Sequence, residues 1–341
     1  MGEHRHTIDD EPDYYEHDPV KLARLKKSIG FASRYIADTR TTSADLCADA
    51  ARRLRTALNC PPDKVGAVIS VTQTPDYLMP GNAHVLHRRL GLPCSAPALD
   101  MEMGCSGFVY GLATAALLAG QGVDNVLLAA GDTLRKRVDV HERTVAPLFG
   151  DAGSATLVRH VSGAAPMYFL LRSDGRGLKK LYVPSGGSRN PPGAPMETDE
   201  LADRDTLFMD GFGVFDFTMT EQPEALHAIL AYAGKKLEDI DYFVFHQANR
   251  YIVRTIAGKL GPDRRAVGGN RAPDSVFSKY GNLSAASIPA VLCDDLAQSL
   301  ASGRAQVLMQ GFGIGLSWGA CQTELDRPLC LPPVCLGESH A

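Results

Sequence analysis

Four short segments carry residue types that could do covalent chemistry. In MEMGCSGF, Cys105 follows Gly104 and opens a helix-like run whose first turns hold no acid or base. A thiol at a helix N-terminus feels the positive end of the dipole and unpaired backbone N–H groups, which lower its pKa toward the nucleophilic thiolate. In VFHQANRYIV, His246 comes directly after the apolar run Phe243 to Phe245. Ligands of open α/β sheets bind beyond the carboxyl ends of the strands, so this imidazole is a candidate donor or base. In KYGNLSAAS, Asn282 follows Gly281 and supplies a neutral amide ahead of a helix, where a simple cap is the other reading. In QGFGIGLSWGA, glycines 311, 313 and 315 precede an apolar strand with the only tryptophan. Such a loop lets backbone N–H groups form an oxyanion hole, or merely closes a hairpin. Taken singly, Cys105 fits a buried structural thiol equally well, and His246 an ordinary packed histidine.

The elements that must position these groups alternate between strand-like and helical runs. Val65 to Val71, Asn125 to Ala130 and Ala155 to Val158 read as strands, with a helix over Gly104 to Gln121. Ile240 to Phe245, Gln306 to Met309 and Leu316 to Cys321 repeat the theme, with helices over Asn249 to Lys259 and Ala285 to Ser299. Strands spaced by helices imply a mostly parallel sheet covered on both faces. The halves also look like copies. DKVGAVISV parallels EDIDYFVFH, GCSG parallels GNLS, and NVLLAAGD parallels AQVLMQGFG, which sets Cys105 and Asn282 at equivalent places around a pseudo-dyad. Between the halves, PSGGSRNPPGAP (184 to 195) forbids regular structure and reads as a surface excursion.

Global properties narrow the class. The 341 residues, 45% hydrophobic and 22% charged with net charge −4, suit a folded protein with a large core and give no sign of a nucleic-acid binder. Eight dispersed cysteines, with no CxxC pair and no apolar leader in the first residues, imply reduced thiols and a cytoplasmic protein. The uncharged stretch Met103 to Val123 matches the length of a membrane span, but its many small residues read as a helix packed in the centre of a large fold. No metal-ligand spacing occurs, GDAGSA (150 to 155) lacks the Lys-Ser/Thr of a phosphate loop, and His84 with His87 reads as a helix surface.

In combination and in this order, GCSG, HQAN, YGNLSAAS and GFGIGLSWG resemble the thiolase-superfamily condensing enzymes, and most nearly the β-ketoacyl-acyl-carrier-protein synthase III branch. The resemblance extends from about Gly30 to Ala320 and includes GDT (131 to 133), FGDAGSA (149 to 155) and MDGFGVFDF (209 to 217). It implies an α/β fold of two similar halves, here 1–165 and 166–341, building a five-layered α-β-α-β-α core, and a homodimer. It implies the triad Cys105, His246 and Asn282, with an oxyanion hole from the backbone N–H groups of Cys105 and Ile314. The implied reaction is decarboxylative Claisen condensation of an acyl thioester with malonyl-acyl carrier protein through an acyl-cysteine. Coenzyme A or phosphopantetheine thioesters serve as substrates, with no permanently bound cofactor and with acyl carrier protein as partner. Met79 in DYLMPGNA matches the position that closes the acyl tunnel across the dimer interface, and Arg250, Arg254 and Lys259, with Arg264 and Arg265 beyond, match the carrier-docking region. Two other activities fit the same frame: acyl transfer to an alcohol or amine, and service as one subunit of a condensing heterodimer.

Departures lie near the N-terminus. The family's first strand is not recognisable, and Arg24 and Ser28 stand where the family has a tryptophan and an arginine that clasp the adenine of coenzyme A.

Overall fold

Two strands set the frame because both of their faces are apolar. AVISV and VLLAAGD leave no polar face to turn to water, so they sit side by side at the centre of a sheet. The computed structural model describes all residues except 11–17, 19, 22, 25, 26, 28, 29, 31, 143, 197–199, 261–270 and 338–341. Its N-terminal four-stranded sheet runs β4 (Ala98–Met101), β3 (Ala67–Val71), β5 (Val126–Asp132), β6 (Ala152–Val158). The first three strands are parallel and β6 is antiparallel to β5.

The second sheet repeats this order. β10 (Tyr242–Phe245) lies parallel to β11 (Arg304–Gly313), which pairs antiparallel with β12 (Ser317–Asp326), which pairs antiparallel with β7 (Tyr168–Ser173). The parallel pair β3/β5 thus corresponds to β10/β11, and the hairpin-like pair β5/β6 to β11/β12. The correspondence breaks at both edges: among the described residues, β10 has no outer partner where β3 has β4. The outer edge of β12 is covered by β7, whereas among the described residues no strand pairs with the outer edge of β6. A cavity of about 800 Å³ lies along it, lined by β6, Met1, Arg53 and the chain from Leu329 to Val334.

Period-2 alternation assigns the layers. Val68 and Leu127 point to an outer cluster with Ala44, Cys47 and Leu86, supplied by α1 (Ser43–Ala57) and α2 (Asn82–Arg89). Their neighbours Ile69 and Leu128 point inward to a central cluster with Phe108, Val109 and Leu112 of α3 (Gly107–Gly120) and with Ala285, Ile288 and Val291. Val244, Val307 and Met309 close that cluster from the other side. Phe243, Phe245 and Leu308 face out to α4 (Gly211–Tyr232) and α5 (Arg250–Lys259). The result is the five-layered α-β-α-β-α thiolase-like architecture. The small residues of α3 let the layers press together: a Cβ at Gly107 would stand 2.4 Å from Val71 Cγ1, and one at Gly111 2.6 Å from Leu128 Cδ1. No described helix is long and apolar enough to cross a membrane.

Two expectations need correction. The Ala285 to Ser299 helix is not continuous: it starts as a 3-10 turn, is α-helical over Ser287–Ala290, widens into a π turn over Val291–Asp295 and resumes over Ala297–Ala301. Pro289, which has no N–H to donate, sits in its first α turn. The N-terminal region does contain a strand, β1 (His4–Thr7), but it pairs antiparallel with β2 (Ser33–Ile36) in a separate ribbon and adds nothing to the large sheet. The 184–195 excursion carries no regular element, as its composition requires.

Candidate active site

The thiol is placed by the tight turn between β4 and α3. Cys105 lies just before the helix N-cap, Ser106, and is 9% exposed. Two glycines of β11 make room for it, since a Cβ at Gly311 would stand 2.7 Å from the Cys105 carbonyl oxygen and one at Gly313 3.5 Å from Sγ. The turn after β11 is tied to the same spot. Ser317 Oγ donates to the Ile314 carbonyl at 2.6 Å and lies 2.6 Å from Ser106 Oγ. Ile314 packs against the satellite cluster that includes Val145, Phe149 and Leu181 rather than the central core.

His246 follows β10, and its backbone N–H prolongs the parallel ladder by donating to Gln310 O at 2.8 Å. Phe312 meets the ring edge-on at 5.4 Å between centroids. Burial pushes the imidazole down to about 3, with the Ser284 backbone only partly opposing that fall, and Nδ1 has no hydrogen-bond partner. The ring is therefore neutral at ordinary pH.

Asn282 is held by a strap: its N–H donates to Leu148 O at 2.8 Å, and its carbonyl accepts from Gly150 N at 3.1 Å. The approach is close enough that a Cβ on Gly281, which also has φ +79°, would stand 3.0 Å from Gly150 N and Leu148 O. Asn282 Oδ1 accepts from the Ser284 N–H at 2.9 Å, so the amide oxygen is used as a cap and Nδ2 remains as the donor.

These three residues come from distant parts of the chain and converge on Ser284, which sequence reasoning did not single out. Cys105 Sγ donates to Ser284 Oγ at 3.8 Å, the imidazole lies against the Ser284 backbone, and the Asn282 amide caps its N–H. Ser284 itself holds φ +49°, a conformation unusual for a residue with a side chain. Asp132, at the end of β5, is the buried carboxyl beside this cluster. Its sequence signal was present within GDT, and that of Ser284 within GNLS, but neither pattern says what the side chain faces.

The expected lowering of the thiol pKa by the helix terminus does not prevail. Burial pushes Cys105 up to about 12, assisted by the charge of Asp132 and opposed by the Ser284 hydroxyl and the Cys105 backbone N–H. Of the remaining thiols, Cys47 and Cys321 are core packing, and none of the eight cysteines is in a disulfide. No group of described residues could hold a metal ion.

The other expected residues lie elsewhere. Met79 is 82% exposed, in a surface run with Tyr77 and Leu78, and does not border the thiol within one chain. Arg250, Arg254 and Lys259 share α5, but each cation has a partner. Asp274 takes Arg254 at 2.5 Å and faces Arg250 at 3.9 Å, while Lys259 donates to Met219 O at 2.8 Å. Arg24 is exposed, and Ser28, Arg264 and Arg265 lie outside the described residues.

Comparison with known proteins agrees with this geometry. Residues 99–175 match the family model of 3-oxoacyl-[acyl-carrier-protein] synthase III, and residues 230–325 match the model of its C-terminal part. A putative 3-oxoacyl-[acyl-carrier-protein] synthase 3 of Campylobacter jejuni is 36% identical over 94% of this chain and 90% of its own length. A β-ketoacyl-[acyl-carrier-protein] synthase III of Streptomyces coelicolor is 35% identical over 87% of each chain. The crystal structure of a 3-oxoacyl-(acyl-carrier protein) synthase from Burkholderia xenovorans superposes with a TM-score of 0.89 at 34% identity, covering 98% of this chain and 94% of that one. A priming β-ketosynthase of a polyketide pathway has a TM-score of 0.79 at 27% identity over 96% and 94%. Relatives of one kind thus match this chain over nearly its whole length, and the chain belongs to the β-ketoacyl-acyl-carrier-protein synthase III family of condensing enzymes.

Proposed function

We propose that this chain catalyses decarboxylative condensation of an acyl thioester with malonyl-acyl carrier protein, serving fatty-acid or polyketide biosynthesis. The observation that carries the proposal is the convergence of one buried thiol, one neutral imidazole and one free amide donor on Ser284. Cys105 takes the acyl group from its thioester carrier and keeps it activated as a new thioester. The Cys105 and Ile314 backbone N–H groups hold the oxygen of the tetrahedral intermediate. When the malonyl carboxylate leaves as carbon dioxide, the electron pair passes to the thioester enolate, whose oxygen accepts from the imidazole N–H and from Asn282 Nδ2. The enolate carbon then attacks the acyl carbonyl, the C–C bond forms, and the C–S bond to Cys105 breaks. A neutral imidazole suits this role because it donates without bringing a formal charge into a dry site.

The finer assignments rest on the same reading. The halves divide at 165/166. Donors are thioesters of coenzyme A or phosphopantetheine, and the protein works without a resident cofactor, in the cytoplasm. It acts as a homodimer, with the exposed Tyr77, Leu78 and Met79 of one copy reaching the acyl tunnel of the other. Arg254, whose side chain is more exposed than that of Arg250, leads carrier docking, supported by Arg250 and Lys259.

Intact-protein mass after exposure to acyl-coenzyme A and acyl-carrier donors tests the first step, and carbon dioxide release from malonyl-acyl carrier protein tests the second. An adduct of one acyl mass that is lost in Cys105→Ala supports the proposal. An adduct followed by ester or amide product without carbon dioxide overturns it in favour of plain acyl transfer.

A further inference from the structure

A thiol held near 12 by burial needs somewhere to send its proton, and the neutral imidazole with its depressed pKa is a poor acceptor. The side chains around Sγ offer another route. Cys105 Sγ donates to Ser284 Oγ. Beyond Ser284 stands Asp132, which is 1% exposed and uses its two oxygens unequally. Oδ1 accepts three hydrogen bonds, from Thr72 Oγ1 at 3.0 Å, Gln73 N at 2.7 Å and Thr74 Oγ1 at 3.2 Å. Oδ2, equally buried, makes none, and the Ser284 hydroxyl is the side chain that acts on this carboxylate from outside that set. A saturated oxygen anchors the carboxylate, its other oxygen is left without a bond, and the hydroxyl that acts on this carboxylate is the one that already touches the nucleophile.

We propose that Cys105, Ser284 and Asp132 form a proton relay in which Ser284 passes the thiol proton to Asp132 Oδ2. The balance is simple. The S–H proton moves to Ser284 Oγ as the Ser284 proton moves to Oδ2. One negative charge leaves the carboxylate and appears on sulfur, and no proton crosses to solvent. After transfer the Ser284 O–H donates to the thiolate and the Asp132 O–H donates to Ser284. Burial disfavours the ionised forms of both ends, so the pair shares a single charge whose location is set by local donors: the three bonds on Oδ1 at one end, and the α3 terminus with the Cys105 N–H at the other. The left-handed backbone of Ser284 is what aims its hydroxyl between the two while its N–H serves Asn282. In these terms Ser284 touches the reacting sulfur, and Asp132 is a positioning and proton-storing residue acting through it.

The proposal rests on Cys105 being the nucleophile, so its test does not depend on acylation. The pH dependence of Cys105 alkylation by iodoacetamide, read by peptide mass, is compared for the parent protein, Asp132→Asn and Ser284→Gly. Asn keeps an acceptor for the three Oδ1 bonds, and Gly tolerates the positive φ. An internal base makes the parent rate nearly flat from pH 6 to 9. Without the relay, thiolate forms only by loss of a proton to water, so both variants gain tenfold per pH unit and fall at least tenfold below the parent at pH 7. A parent profile that itself climbs tenfold per unit overturns the relay, as does an Asp132→Asn variant that reacts faster at every pH, the mark of simple charge repulsion. An absent acyl adduct alongside a flat alkylation profile would instead sink the condensing reading and leave the relay standing.

Discussion

The two sheets share a parallel pair followed by an antiparallel strand and meet in one central core, yet they contribute opposite chemistry. The N-terminal sheet ends in acids and an acidic proton: Cys105 after β4, Asp132 at the end of β5, and Asp151 just before β6. The C-terminal sheet supplies neutral donors, His246 after β10 and Asn282 and Ser284 before the middle-layer helix. Their titration follows the same division. Burial raises Asp132 and lifts Asp151 to about 6, while in the other half it depresses His246 to about 3. Under the proposed mechanism and relay, one half stores the charge of the reaction and the other presents dipoles to it, a division of labour between duplicated halves.

The strongest way to break this comparison is to remove one contribution from each side. Cys105→Ala should abolish the acyl adduct and lower condensation by at least about a thousandfold, as removal of a covalent nucleophile does. His246→Ala should lose about a hundredfold to a thousandfold in carbon dioxide release while the acyl adduct still forms. If His246→Ala fails at adduct formation instead, the division between the halves is wrong.

A smaller effect appears in stability against pH. His246 binds a proton at about 3 when folded and 6.5 when unfolded, so the unfolded chain takes up more protons between these values. Its contribution is present above 6.5 and is lost as pH falls toward 3. Asp151 goes the other way, from 3.8 unfolded to about 6 folded, and Asp132 shifts in the same direction. The stabilisation from Asp151 is present below 3.8 and is lost as pH rises through 6. His246 and Asp151 each contribute on the order of 3 to 5 kcal/mol across their windows, and the two slopes oppose each other. His246→Gln removes one of them, so the melting temperature of that variant should fall from pH 4 to 6 more steeply than that of the parent.

The smallest contrast lies in two paired glycines. A Cβ on Gly153 of β6 would meet backbone of α1 at 2.4 Å, at Cys47 N, while one on Gly319 of β12 would meet only side chains at 3.1 Å, those of Leu171 and Val109. Gly153→Ala should therefore cost about 1 to 3 kcal/mol in chemical denaturation and Gly319→Ala less, because side chains yield where backbone does not.

The sequence made the strands and the triad legible because their signals are local. VGAVISV and IDYFVF are buried strands on composition alone, and a thiol, a histidine and an asparagine stand at the ends of recognisable elements. What local patterns could not carry was the environment. The thiol pKa is set first by burial and then by Ser284 and Asp132, which meet it only after folding. The α5 cations looked free because Asp274 and the Met219 carbonyl are distant in sequence. β1 escaped notice because HRHT shows no apolar alternation, a ribbon strand being held mainly by its backbone partner.

The bare outer edge of β6 has a consequence for the order in which the protein comes apart. β12 is laced to strands on both sides, whereas β6 is laced on one, with a cavity and the irregular Leu329 to Val334 segment on the other. Its outward amides exchange with solvent by local fluctuation, and those of β12 only when the sheet opens. Among the described residues, β6 thus offers local opening an edge that its counterpart β12 does not, at the wall behind α1.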